Sequence, residues 1–129
     1  MPVPDRRAAW RTLYGLLFMA AGAMHFVVPA YYQAIVPSYL PAPAALVVVS
    51  GVAEIAGGIG LLIPSLRPAA GIGLIVLLVA VFPANVEMLR LYRARGVAGW
   101  METVLWLRLP LQAVLIWWAW RLSLPERAG

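Results

Sequence analysis

Apolar positions along the chain gather into four long blocks, broken by short polar or proline-rich stretches. The blocks run over Thr12–Val28, Ala44–Ile63, Ala69–Met88 and Thr103–Arg121. A helix needs about 17–25 predominantly apolar residues to cross the hydrocarbon core of a bilayer. The pattern therefore predicts an all-α fold, a four-helix transmembrane bundle forming one domain over residues 1–129. The first block lies near the short end of that range, and the fourth is interrupted by Arg108 and Pro110. The run that follows Asp5, Arg6 and Arg7 superficially resembles a signal peptide. No small-residue cleavage signature clearly ends it, so it reads as a retained first span.

The breaks between blocks carry their own signals. Pro29–Pro43 holds four prolines and three tyrosines, which disfavours a continuous regular helix and suits the headgroup region. Pro64–Pro68 is a tight turn that makes the second and third spans antiparallel neighbours, and Arg90–Gly99 reads as a basic loop. Counting arginines gives the orientation. With the N-terminus inside, Arg6, Arg7, Arg11, Arg67, Arg121 and Arg127 lie on the inner side and Arg90, Arg93 and Arg95 on the outer side. That excess places both termini in the cytoplasm, with the chain in the cell membrane.

Composition sharpens this picture. The chain is 64% hydrophobic and 12% charged, where soluble domains carry about a quarter charged residues. The net charge is +5 and every basic residue is Arg. Since the arginines cluster at block ends, they are expected to face lipid phosphates and set topology, and nucleic acid is not an expected partner. The absence of cysteine excludes disulfides, thiolate metal sites and a thiol relay within this chain. A single histidine makes a zinc site or bis-histidine haem unpromising, so no metal is expected.

Against this background a few polar residues stand out. Glu54 lies in the middle of the second span, where a carboxylate costs several kcal/mol unless paired, hydrated or protonated. Ser50, Gly51, Gly57 and Gly58 fall on its side of a helix, so this face is expected to turn into the bundle. Two readings stand beside each other: a packing stripe with a paired or protonated Glu54, or a carboxylate lining a ligand or proton site. His25 and Asn85 lie near the outer ends of the first and third spans. Pro83 leaves the carbonyl of Val79 without its helical partner, and Asn85 is placed to satisfy that carbonyl or to reach a ligand. In the fourth span Arg108 and Gln112 share one face, while Trp106, Trp117 and Trp120 occupy roughly the opposite one. The expectation is that Arg108 serves as counter-ion to Glu54, with His25, Asn85 and Gln112 around the pair. The alternative is that Arg108 snorkels outward to phosphates.

Several of these segments, taken in order, resemble the DoxX-like membrane proteins. They are Ala21-Gly22-Ala23-Met24-His25-Phe26 with Pro29, Tyr32, Ile35-Val36-Pro37 and Leu40-Pro41; Ser50 to Gly58; and Val81-Phe82-Pro83-Ala84-Asn85. The resemblance implies a small four-helix membrane protein. Members of that family are associated with redox complexes, among them a thiosulfate:quinone oxidoreductase subunit, and more distant relatives act as assembly factors. The implied partners are the lipid bilayer and a redox complex or other membrane protein, and a homo-oligomer stays open. The expected function is binding of a small lipophilic or redox-active molecule, such as a quinone, by His25, Glu54, Asn85, Arg108 and Gln112. A non-catalytic assembly protein and a small proton-coupled transporter or channel are the alternatives, and whether the chain is an enzyme stays open.

Overall fold

The computed structural model describes residues 5–96 and 99–124. Arg127, counted above toward topology, lies outside the described residues. The described chain is all-α: α1 Arg6–Val27, α2 Pro29–Ala34, α3 Pro43–Leu62, α4 Arg67–Ala94 and α5 Gly99–Ser123. Among the described residues, α3, α4 and α5 are long and apolar enough to cross a membrane. The helix α1 is comparably long, but Arg6, Arg7 and Arg11 occupy its first two turns.

Local chemistry explains where these helices start and stop. Asp5 caps α1 by accepting from the Arg7 backbone N–H at 3.0 Å. Three helices carry proline in their first turn: Pro29 in α2, Pro43 in α3 and Pro68 in α4. Proline is pre-set for that position, because the N–H it lacks has no helical partner there. The prolines of the Pro29–Pro43 stretch therefore start helices at both of its ends. No continuous helix runs through the stretch, as expected, but a short one occupies its first six residues. The expected basic loop also shrinks, since α4 continues to Ala94 and ends before Gly96, which takes a φ of +66°.

The four long helices run up and down, with α3 between α1 and α4, and α5 packed on α4. Contact between α1 and α3 is the most extensive, and glycine makes it so. Gly15 and Gly22 on α1 face Gly58 and Gly51 on α3, so that two backbones touch where side chains would otherwise stand. A Cβ on Gly58 would lie 2.5 Å from the Gly15 carbonyl oxygen, and one on Gly22 would lie 2.7 Å from that of Gly51. Helices in lipid gain little from apolar burial against one another, so close van der Waals approach of this kind is what holds them. The seven-residue spacing on each helix sets α1 and α3 antiparallel and fixes their register.

In contrast, α1 and α5 scarcely meet. They are stitched at the end that carries the first and last described residues. Arg7 donates to the carbonyls of Arg121 and Leu124, and Arg11 donates through Nε to that of Leu122 at 3.1 Å. Arg67 likewise donates to the Leu61 carbonyl at the end of α3, at 2.9 Å. Helix C-termini expose unsatisfied carbonyls and the negative end of the helix dipole, both of which suit guanidinium groups. Three arginines expected to face lipid phosphates thus cap helix ends. Two apolar clusters close the bundle at its two ends. Tyr14, Phe18, Leu61, Leu74 and Leu78 belong to one; Ile35, Met88, Leu89 and Leu105 form the other. The polar residues singled out in the sequence fall between these clusters.

Candidate functional site

Glu54 projects from the middle of α3 toward α1, because Gly51 and Gly58 bring α1 close on that side. Its Oε2 lies 3.3 Å from His25 Nδ1. His25 is buried, and its Nδ1 lies 2.9 Å from the Ala21 carbonyl oxygen one helical turn earlier. A carbonyl only accepts, so that contact places the hydrogen on Nδ1 and directs it to Ala21. The imidazole stacks on Tyr32 of α2, with ring centroids 3.9 Å apart and an 18° interplanar angle. The Glu54 side chain is 14% exposed, and Oε2 is buried without a hydrogen-bond partner among the described residues. Leaving such an acceptor unsatisfied costs about 1–3 kcal/mol, and more if it is charged.

Arg108 does not pair with Glu54. Its Nη1 donates instead to the Met88 sulfur at 3.2 Å, and no ion pair joins the two groups among the described residues. The correction has a physical basis: Met88 is buried one turn beyond Asn85 on α4 and offers a nearer acceptor than a carboxylate on α3. Tyr31 also donates to this sulfur, at 3.7 Å. Arg108 keeps part of its surface exposed and faces the same space as Glu54. The field of both groups reaches α2. Burial raises the Tyr32 phenol above the usual tyrosine range, the Glu54 carboxylate raises it further, and Arg108 opposes both.

Asn85 and Gln112 form a second arrangement. Asn85 Nδ2 donates to Gln112 Oε1 at 2.6 Å, and Gln112 Nε2 donates to the Leu78 carbonyl. Pro83 lies inside α4 and leaves the Val79 carbonyl without its helical N–H, and Gln112 reaches the adjacent carbonyl, that of Leu78, from the neighbouring helix. Of the two roles expected for Asn85, a bond to the Val79 carbonyl is not made: its amide donates to Gln112 instead. Gln112 is buried and ties α4 to α5. We expect Gln112→Leu to leave the Leu78 carbonyl and the Asn85 amide unpartnered and to lower stability by about 1–3 kcal/mol. Thermal unfolding in detergent measures this, and an unchanged midpoint would contradict it.

Two cavities meet at these side chains. One, of about 290 Å³, lies under α2 and is bordered by His25, Tyr32, Ser50 and Glu54. The other, of about 380 Å³, lies in the gap between α1 and α5 and includes Gln112 in its wall. Glu54, Val81, Asn85 and Arg108 line both. All five residues expected at a site are therefore brought to one region, with His25 on the first cavity only and Gln112 on the second only. The lining combines apolar surface with convergent donors and acceptors, the usual character of a small-molecule site. The described residues contain no group of three or more His, Asp or Glu able to hold a metal ion.

Sequence reasoning missed Tyr32 and Met88 as members of this region. Tyr32 was assigned to the headgroup region, and no periodicity signals that α2 folds back over His25. Met88 reads as an apolar span residue, and its role as sulfur acceptor depends on where α5 brings Arg108.

Fold and polar centre together describe a small all-α protein with helices suited to a membrane and a polar cluster enclosed among them. The chain belongs to the family described as a domain of unknown function, DUF8561, which matches residues 14–123 and so takes in nearly all of the helical structure. No curated protein and no solved structure matches the chain.

Proposed function

We propose that this is a four-span integral protein of the cell membrane, with both termini cytoplasmic, that binds a small lipophilic or redox-active molecule, quinone-like in chemistry, at Glu54. In this reading α1 is the fourth span, its arginines held against the C-terminal end of α5. The observation that carries the proposal is the buried Oε2 of Glu54, which makes no hydrogen bond among the described residues, has His25 Nδ1 at 3.3 Å, and stands at the meeting of two cavities. An acceptor kept in that state disfavours the fold, and a ligand hydroxyl removes the cost by donating to it. Arg108 and the second amide hydrogen of Asn85 supply donors for a ligand carbonyl on the opposite side. Donors and an acceptor on facing walls suit a molecule that carries both carbonyl and hydroxyl forms. The resemblance to DoxX-like proteins supports the same reading and adds a role as subunit of a redox assembly.

Titration of a quinone and its quinol into purified protein tests this. We expect saturable binding to the wild type and at least tenfold weaker binding to Glu54→Gln, equivalent to about 1.4 kcal/mol. The proposal falls if neither redox form binds the wild type.

A further inference from the structure

The cavity between α1 and α5 differs in kind from the one under α2. Its charged and amide groups lie at one end, where Glu54, Asn85, Arg108 and Gln112 converge. From there toward the terminal end its walls are Leu17, Phe18, Leu111 and Leu115. Its floor is closed, because Tyr14 donates to the Leu115 carbonyl at 2.9 Å and packs edge-on against Trp118. The arginine stitching of α1 to α5 lies beyond that floor. The gap persists above it because α1 is held by α3 through paired glycines and α5 is held by α4, while the two outer helices meet only sparsely.

We infer that this cleft receives the apolar tail of the same ligand whose polar head sits at Glu54. The inference rests on the binding role proposed above and adds the ligand's class: a head able to hydrogen-bond, joined to a flexible hydrocarbon chain. Three features of the cleft select this occupant. Its lining passes from polar to apolar along one direction. It shares Glu54, Val81, Asn85 and Arg108 with the head cavity, so one molecule reaches both spaces. Its floor at Tyr14 and Trp118 turns the tail toward the sideways mouth rather than on along the bundle axis. Leu17 and Leu111 flank the mouth on α1 and α5 and are more than half exposed, so entry is sideways from the bilayer.

The test compares two probes in nanodiscs, a benzoquinone bearing a decyl chain and its tailless parent, on wild type, Leu17→Trp and Leu111→Trp. Both substitutions enlarge exposed side chains at the mouth and leave the Glu54 cluster untouched. Wild type is expected to bind the tailed probe at least tenfold more tightly than the parent, after correction for partition into protein-free discs. Each tryptophan variant is expected to weaken the tailed probe at least fivefold and leave the parent unchanged. A photoreactive group at the tail end is expected to label α1 and α5 near Leu115. Binding of both probes with no loss in either variant, or labelling of the α3–α4 surface, overturns the tail assignment and leaves the Glu54 site standing. Binding of neither probe to wild type overturns both.

Discussion

Gly58→Leu is expected to prevent α1 from docking on α3 and to remove most of the folded protein. The first atom of any new side chain already stands 2.5 Å from the Gly15 carbonyl oxygen and 2.8 Å from Met19 Cγ. Met19 can rotate away, but the carbonyl moves only if α1 moves. Overpacking of a close interface costs about 1–3 kcal/mol and sometimes more, and a branched side chain between two touching backbones falls at the upper end. Gly58→Ala should produce a smaller loss in the same direction. Gly73→Ala supplies the control, since a Cβ there meets nothing within 4 Å. Replacing a helical glycine at an open position stabilises by about 0.5–1 kcal/mol. Unfolding followed by circular dichroism in detergent ranks the three variants. The order expected is Gly73→Ala, then Gly58→Ala, then Gly58→Leu, and equal stability of all three would refute the glycine interface. Separation of α1 from α3 also pulls His25 from Glu54, so any surviving Gly58→Ala protein should bind ligand more weakly.

Glu54→Leu should have the opposite pattern, a firmer fold with no site. Replacement of a carboxylate whose buried Oε2 makes no hydrogen bond by an apolar group of similar size removes a desolvation cost without opening a void, and this outweighs the lost 3.3 Å contact with His25. The expected gain is about 1–3 kcal/mol, the cost of one orphaned buried acceptor. His25 loses a neighbour at 3.3 Å but keeps the Ala21 carbonyl at 2.9 Å, so its hydrogen stays satisfied. A carboxylate that merely fixes helix register would behave differently: its removal would lower the melting temperature. Simultaneous gain in stability and loss of binding is the signature of a residue kept for a ligand.

The architecture was largely legible because it rests on block length and glycine placement. The apolar blocks fall within helices, three of which are long and apolar enough to cross a membrane, and Gly51 and Gly58 on the Glu54 side of α3 mark a face built for close approach. Less legible were features that depend on where a neighbouring helix ends. Arg7, Arg11 and Arg67 were expected at lipid phosphates because a count of charges at block ends does not show that helix C-termini will stand beside them. The Glu54–Arg108 pair was expected from depth alone. Depth fixes position along the bundle axis but not rotation about α5, and that rotation turns Arg108 to the Met88 sulfur. Pro83 announced a disturbed backbone, whereas the bond from Gln112 to the adjacent Leu78 carbonyl depends on the long-range approach of α5. The six-residue helix α2 was not legible because four prolines argue only against one continuous helix, whereas Pro29 at a first turn starts a short one.

The most direct test of a ligand at Glu54 is what the protein carries out of the membrane. Wild type and Glu54→Leu, purified under identical mild conditions, are extracted with organic solvent, and the small molecules are quantified against protein by mass spectrometry. The account predicts a tailed, quinone-like molecule near one per wild-type chain and a tenfold or greater depletion in Glu54→Leu, although that variant is the more stable protein. Equal recovery from both, or no molecule enriched above bulk lipid in the wild type, would contradict it.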